Sequence, residues 1–79
     1  MKLDIISPSV SCTYEVAWVE LNTAAGNMII QPGHAPLVIT LSPHKQIIYC
    51  LKNGKQEVFI PTRAVAEVTR THITILVSE

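Results

Sequence analysis

The chain has 79 residues, 48% of them hydrophobic and 15% charged, with five prolines and three glycines. That length supports one globular domain, residues 1–79, with a small core and little room for a deep substrate cavity. Six basic residues balance six acidic ones and neither sign forms a run, so the electrostatic footprint of a nucleic-acid binder is missing, as is any attraction to anionic lipid.

In chain order, KLDIIS places Leu3, Ile5 and Ser7 on one face, and PSVSC breaks that first strand. YEVAWVELNT follows as a half-buried strand by its two-residue period, with Val19 and Leu21 on one side and Trp18 and Glu20 on the other. TAAGNMII carries a turn at Ala24 to Asn27 and then a short apolar run. PLVITL and QIIYCL read as further strands, the second with Ile47, Tyr49 and Leu51 sharing a face. KNGK, between QIIYCL and QEVFIP, is the strongest local signal, because Asn-Gly supplies the positive dihedrals of a tight hairpin. RAVAEVT favours a strand over a helix through Val65, Val68 and Thr69, and THITILV closes with Ile73, Ile75 and Val77 facing in. The expected fold is all-β: a flattened sandwich or barrel of about eight to ten short, mainly antiparallel strands.

Catalytic motifs are missing. Asp4 is the only aspartate, and the glutamates form no HExxH or paired-carboxylate pattern; Glu57 and Glu67 would meet only if their strands were opposed. His34, His44 and His72 are widely spaced without acidic or cysteine companions, so neither a metal nor a cofactor is expected. No nucleophile elbow supports a Ser–His–Asp or Cys–His arrangement, and KNGK lacks the GxxxxGK[ST] phosphate loop. Cys12 and Cys50 are too few for a disulfide framework and not spaced as a CxxC pair, so both are expected as reduced thiols. No apolar run approaches the roughly 20 residues of a membrane-spanning helix, so direct membrane insertion is not expected. MKLDIISPS meets Asp4 and Pro8 before a signal-peptide core forms.

One segment, QPGHAPLVITL, combines stiffness with an apolar continuation. Pro32-Gly33 suits a type II turn, with proline presetting the first corner and glycine taking the positive φ at the second. Pro36 holds Ala35 extended and removes a backbone donor at the start of the next strand. Such a loop either only shapes the fold or also offers a partner a preformed surface. Trp18 has a similar double reading, as an anchor for a protein contact or as a cover on one open side of a thin sandwich.

These segments together resemble a known family. Leu3-Asp4-Ile5-Ile6-Ser7-Pro8 fits an opening pattern L-x-[IV]-[IV]-[ST]-P, Val19 to Leu37 follow a pattern ending in P-G-H-A-P-L, and Val65-Ala66-Glu67-Val68 corresponds to a closing F-A-E-V with Val65 in place of the aromatic residue. The chain is similar, over nearly its whole length, to the N-terminal β-sandwich domain of the epsilon subunit of F-type ATP synthase, called delta in mitochondria. The resemblance implies a non-catalytic central-stalk component that binds the gamma subunit and the c-ring and couples proton transport to ATP synthesis, as part of a peripheral complex on the cytoplasmic side of the bacterial inner membrane. It implies no nucleotide binding without the C-terminal helices that the family carries. Matched to the motif, Asn27, Met28, His34 and Ala35 are the expected protein-binding positions, with Trp18 beside them, and Pro32, Gly33 and Pro36 shape the loop. Asn27 stands where the pattern has glutamate, Ile29 where it has glycine, and Arg63 adds a charge near a position where glycines are usual. The alternative reading is a standalone, divergent sandwich adaptor with a changed protein partner.

Overall fold

Period-two alternation builds eight strands in residues 1–78, the part of the chain that the computed structural model describes. They are β1 (Lys2–Ile6), β2 (Ser11–Thr23), β3 (Gly26–Ile30), β4 (Leu37–Thr40), β5 (Ile47–Leu51), β6 (Gln56–Phe59), β7 (Arg63–Val68) and β8 (His72–Ser78). Glu79, the last residue of the expected domain, lies outside the described residues. The strand order is β4-β7-β8-β1-β2-β5-β6, with β3 also paired to β2. Among the described residues every pairing is antiparallel except β1 with β8. The all-β class and the strand count agree with the sequence reading, and no helix long and apolar enough to cross a membrane occurs among the described residues.

One strand passes through both halves of this sheet. The first residues of β2, Ser11 to Glu15, pair with β1; from Val16 onward the strand pairs with β5, and Val19 to Thr23 pair with β3 on the other side. Val16 is the hand-over: its amide donates to the Met1 carbonyl at 2.9 Å while its register partner is Leu51 of β5. The next pair joins Trp18 to Cys50, which leaves Ala17 as an extra residue. Such a bulge bends the strand and sharpens its twist. It also resets the alternation: Tyr14 and Val16 face inward before it, and Val19, Leu21 and Thr23 face inward after it. The sequence reading set Val19 and Leu21 on one side of the strand and Trp18 and Glu20 on the other, and it is the Val19–Leu21 side that is fully buried.

Both halves contribute to one core. Leu3, Ala66, Val68, Ile73 and Ile75 come from β1, β7 and β8; Val16, Val19, Leu21, Ile30, Ile47 and Tyr49 come from β2, β3 and β5. Ile73 and Ile75 are buried as expected, Val77 only partly. Tyr14 and Tyr49 stack obliquely with centroids 4.9 Å apart. Their hydroxyl contact, followed by burial and the neighbouring Cys12, raises the Tyr14 phenol far above its ordinary titration range. Both cysteines are free thiols.

The turns obey the local chemistry with two adjustments. In the β5–β6 hairpin, Gly54 has φ 91° but Asn53 does not enter the left-handed region. Gly54 N–H donates to Leu51 O at 2.9 Å and Leu51 N–H to Lys55 O at 2.8 Å. The connection is therefore a three-residue loop, with a type I turn followed by a left-handed glycine, rather than a two-residue turn with both residues at positive φ. Asn53 contributes through its side chain, whose Oδ1 accepts from Lys55 N–H at 2.9 Å. The β2–β3 turn is tighter than expected, because Gly26 and Asn27 already belong to β3 and only Ala24 and Ala25 form the corner. Thr23 fixes it, its hydroxyl donating to Gly26 O at 3.0 Å and accepting from Ala25 N–H at 3.1 Å.

A chain of this size has a total stability of only about 4–12 kcal/mol. Ile75→Ala, which empties a fully buried position on the central β8, is expected to cost about 3 kcal/mol. Val38→Ala on β4, where the side chain is 70% exposed, should cost under about 0.5 kcal/mol. Urea unfolding midpoints of the two variants check the assignment of inner and outer faces.

Candidate functional site

The proline–glycine segment forms the connection from β3 to β4, and so joins an edge of one half of the sheet to an edge of the other. His34 N–H donates to Gln31 O at 3.2 Å and Gly33 has φ 89°, the geometry of the expected type II turn with Pro32 and Gly33 at its corners. The turn is fastened from a distant part of the chain. Gly33 N–H donates to Arg70 O at 2.7 Å, and the Arg70 guanidinium returns a bond to Gly33 O at 3.2 Å. Pro32, Ala35 and Pro36 remain exposed. His34 is half-buried, with Nδ1 2.7 Å from Ala35 O. Because a carbonyl only accepts, Nδ1–H is the donor in this contact. The result is an outward-facing loop that is already held before any partner arrives.

The expected binding residues do not form one patch. Asn27 and Gln31 are separated by about 13 Å of strand at roughly 3.3 Å per residue, so Asn27 lies toward the hairpin end of β3 and His34 and Ala35 beyond its other end. Asn27 is exposed and donates through Nδ2 to Glu20 Oε2 at 2.9 Å and to Asn22 Oδ1 at 3.2 Å. Asn22 in turn donates to Gln46 O at 2.9 Å. Met28, opposite Leu21 in the register, is half-buried and packs on the core. Trp18 is half-buried on the same outward face as Glu20. Ile29 is 52% exposed.

A second polar cluster escaped the sequence reading. On the outward faces of three neighbouring strands, Thr13 Oγ1 donates to Asp4 Oδ1 at 2.7 Å, and His72 Nε2 lies 2.7 Å from Asp4 Oδ2. The Thr13 hydroxyl, then the His72 ring, holds the Asp4 carboxyl below its usual 3.8. Asp4 and His72 are 68 residues apart, and only the parallel β1–β8 pairing, with Asp4 opposite Thr74 and Lys2 opposite His72, brings them together. The arrangement is not a catalytic triad, since the carboxylate rather than the imidazole stands between the other two groups. Among the described residues no three His, Cys, Asp or Glu side chains gather as metal ligands. Glu57 pairs with Lys55 at 3.2 Å, and β6 and β7 do not pair with each other, so Glu57 and Glu67 are not opposed. Arg63 is exposed at the start of β7, beside an apolar groove of about 780 Å³ that Ile6, Leu41, Val65 and Leu76 help to line.

The Asp4 cluster gives a pH prediction. A carboxyl whose folded pKa is depressed contributes stability above its unfolded pKa and loses it as pH falls through the folded one. Asp4→Asn should therefore cost about 1 kcal/mol at pH 5 to 6, the usual worth of a partly exposed charge-assisted bond. That difference should shrink as pH drops below 3.8. Urea midpoints of the two proteins across pH 2.5 to 6 (about the span a carboxyl titrates over) check it.

With this geometry in hand, comparisons with known proteins are specific. The family described as ATP synthase, Delta/Epsilon chain, beta-sandwich domain, matches residues 1–79. A chain of the Euglena gracilis mitochondrial ATP synthase, solved as OSCP/F1/c-ring in rotational state 1, superposes with a TM-score of 0.88 at 21% identity, over 98% of this chain and 49% of that one. A chain of the Tetrahymena thermophila mitochondrial ATP synthase central stalk/c-ring gives 0.80 at 16% identity, over 100% of this chain and 63% of that one. The protein thus shares their fold and spans between about half and under two thirds of their length.

Proposed function

The chain belongs to the ATP synthase delta/epsilon β-sandwich family, and we propose that it is a non-catalytic component of the rotor's central stalk. It binds the gamma subunit and the c-ring, and in doing so helps couple proton transport to ATP synthesis. Its residues 1–79 act as one domain, in a peripheral complex on the cytoplasmic side of the bacterial inner membrane. The observation that carries this reading is the family match along the entire chain. The solved chains it superposes on come from assemblies described as F1/c-ring and central stalk/c-ring, which supports the same place in the machine.

A stalk component transmits force, and rigid, pre-shaped surfaces suit that role. The 31–36 loop has its turn closed internally and fastened by Arg70, so little conformational entropy is lost when a partner seats on it. His34 and Ala35 offer contacts there, and Asn27 and Trp18 offer contacts on the outward face of β3 and β2. Met28 serves from the inner side, keeping β3 on the core. Asn27 and Ile29, at positions where the family pattern has glutamate and glycine, favour a second reading in which a sandwich adaptor has changed its protein partner.

Calorimetric titration of the chain with its cognate gamma subunit, with and without the c-ring, separates the two. The stalk reading predicts saturable one-to-one binding, weakened about tenfold, or about 1.4 kcal/mol, by His34→Ala. No heat from a chain shown to be folded, alone or with the c-ring present, would favour the adaptor.

A further inference from the structure

The tip of the β5–β6 hairpin holds an asparagine in a setting that Asn22 and Asn27 lack. Those two lie within strands, ahead of Thr23 and Met28, and Asn27 Nδ2 donates to Asn22 Oδ1 at 3.2 Å. Asn22 Nδ2 is engaged as well, by Gln46 O at 2.9 Å. Asn53 is instead followed by a glycine and is exposed. Its Oδ1 accepts from Lys55 N–H at 2.9 Å, a bond that makes the amide carbon Cγ more open to attack. Its Nδ2 has no partner among the described residues. Gly54 has φ 91° and nothing within 4 Å of where a Cβ would stand, so no side chain shields its backbone nitrogen. Asparagine is one of the thermolabile residues, and here the reacting groups are neighbours in one small loop.

We propose that Asn53 and Gly54 form a site of spontaneous modification, at which the Gly54 nitrogen attacks Asn53 Cγ and the side-chain amide is lost. The bond from Gly54 N to Cγ forms and the bond from Cγ to Nδ2 breaks. The proton of the Gly54 nitrogen leaves with the amide group as ammonia. Water, the only co-reactant, then opens the cyclic imide. Attack at Cγ restores the main chain with aspartate at position 53, and attack at the Asn53 carbonyl carbon gives isoaspartate, whose main chain runs through the side chain and is longer by one methylene. The hairpin controls access to this step. Gly54 N–H donates to Leu51 O at 2.9 Å, and the imide nitrogen carries no hydrogen, so that closing bond must break first. Loop tips open locally without unfolding the domain, and the reaction draws on that open fraction. Either product sets a carboxylate between Lys52 and Lys55, on a chain whose basic and acidic residues otherwise balance. The isoaspartate form also lengthens the loop that Leu51 N–H and Lys55 O close at 2.8 Å.

The test incubates the folded 79-residue chain at mildly alkaline pH beside a peptide of residues 51–56. Intact mass and isoaspartate-specific methylation follow the conversion, and digestion maps the site. The folded chain should convert at Asn53 alone, about tenfold more slowly than the peptide. Asn53→Gln, whose longer side chain closes such a ring poorly, should lose the signal; if that variant does not fold, the site map of the wild type decides. A folded chain still intact after about a hundred peptide half-lives, or one that converts at Asn22 or Asn27 instead, overturns the site. Conversion at the peptide's own rate overturns the control by the hairpin.

Discussion

The structure depends on one strand being continuous. β2 runs 13 residues, and its first part closes against β1 while its second part carries both β3 and β5. Through β1 and β8 it reaches β7 and β4, and through β5 it reaches β6. A domain this small buries only about 60% of the surface its unfolded chain exposes, so a single core must serve both halves. The extra residue Ala17 lets β2 turn from one half to the other without exposing its inner face: Val16 and Val19, on either side of the bulge, are both fully buried. A regular 13-residue strand would have sent either Tyr14 and Val16 or Val19 and Leu21 toward water.

From that constraint the surfaces follow. Because the two residues between Val16 and Val19 both lie outside the core, Trp18 and then Glu20 are presented outward on the β5-paired stretch. Because β3 and β4 are edges of different halves, the segment between them has to cross, and its prolines and glycine give that crossing a fixed shape. Arg70, in the turn between β7 and β8, then ties the crossing to a third element. The loop and the outward face of β2, β3, β5 and β6 are thus consequences of how one core is closed.

Much of this was legible in the sequence. Alternation in THITILV identified the buried face and in VELNT it separated the two faces, since strand side chains have a period of two and one-residue errors flip the whole face. Proline and glycine fixed the turn at 31–34 because their allowed dihedrals are local properties. The KNGK hairpin was recognisable as a turn, but not as a three-residue loop, since Asn53 tolerates both negative and positive φ and the neighbouring register decides. The bulge at Ala17 was hidden because either half of β2 alternates correctly when read alone. The Thr13–Asp4–His72 cluster and the Arg70 tether join residues far apart in the chain, so no spacing rule could expose them. The motif resemblance placed Asn27 and Met28 next to each other as binding positions; alternation separates them, one outward and one onto the core.

The role proposed for this sandwich asks no chemistry of it, only that it hold subunits that turn together. That claim is tested most directly in membranes, by comparing ATP hydrolysis with ATP-driven proton pumping in cells that lack this chain. A stalk component predicts that hydrolysis persists while pumping falls, and that adding back the 79-residue protein restores pumping. Full pumping in its absence would contradict the account.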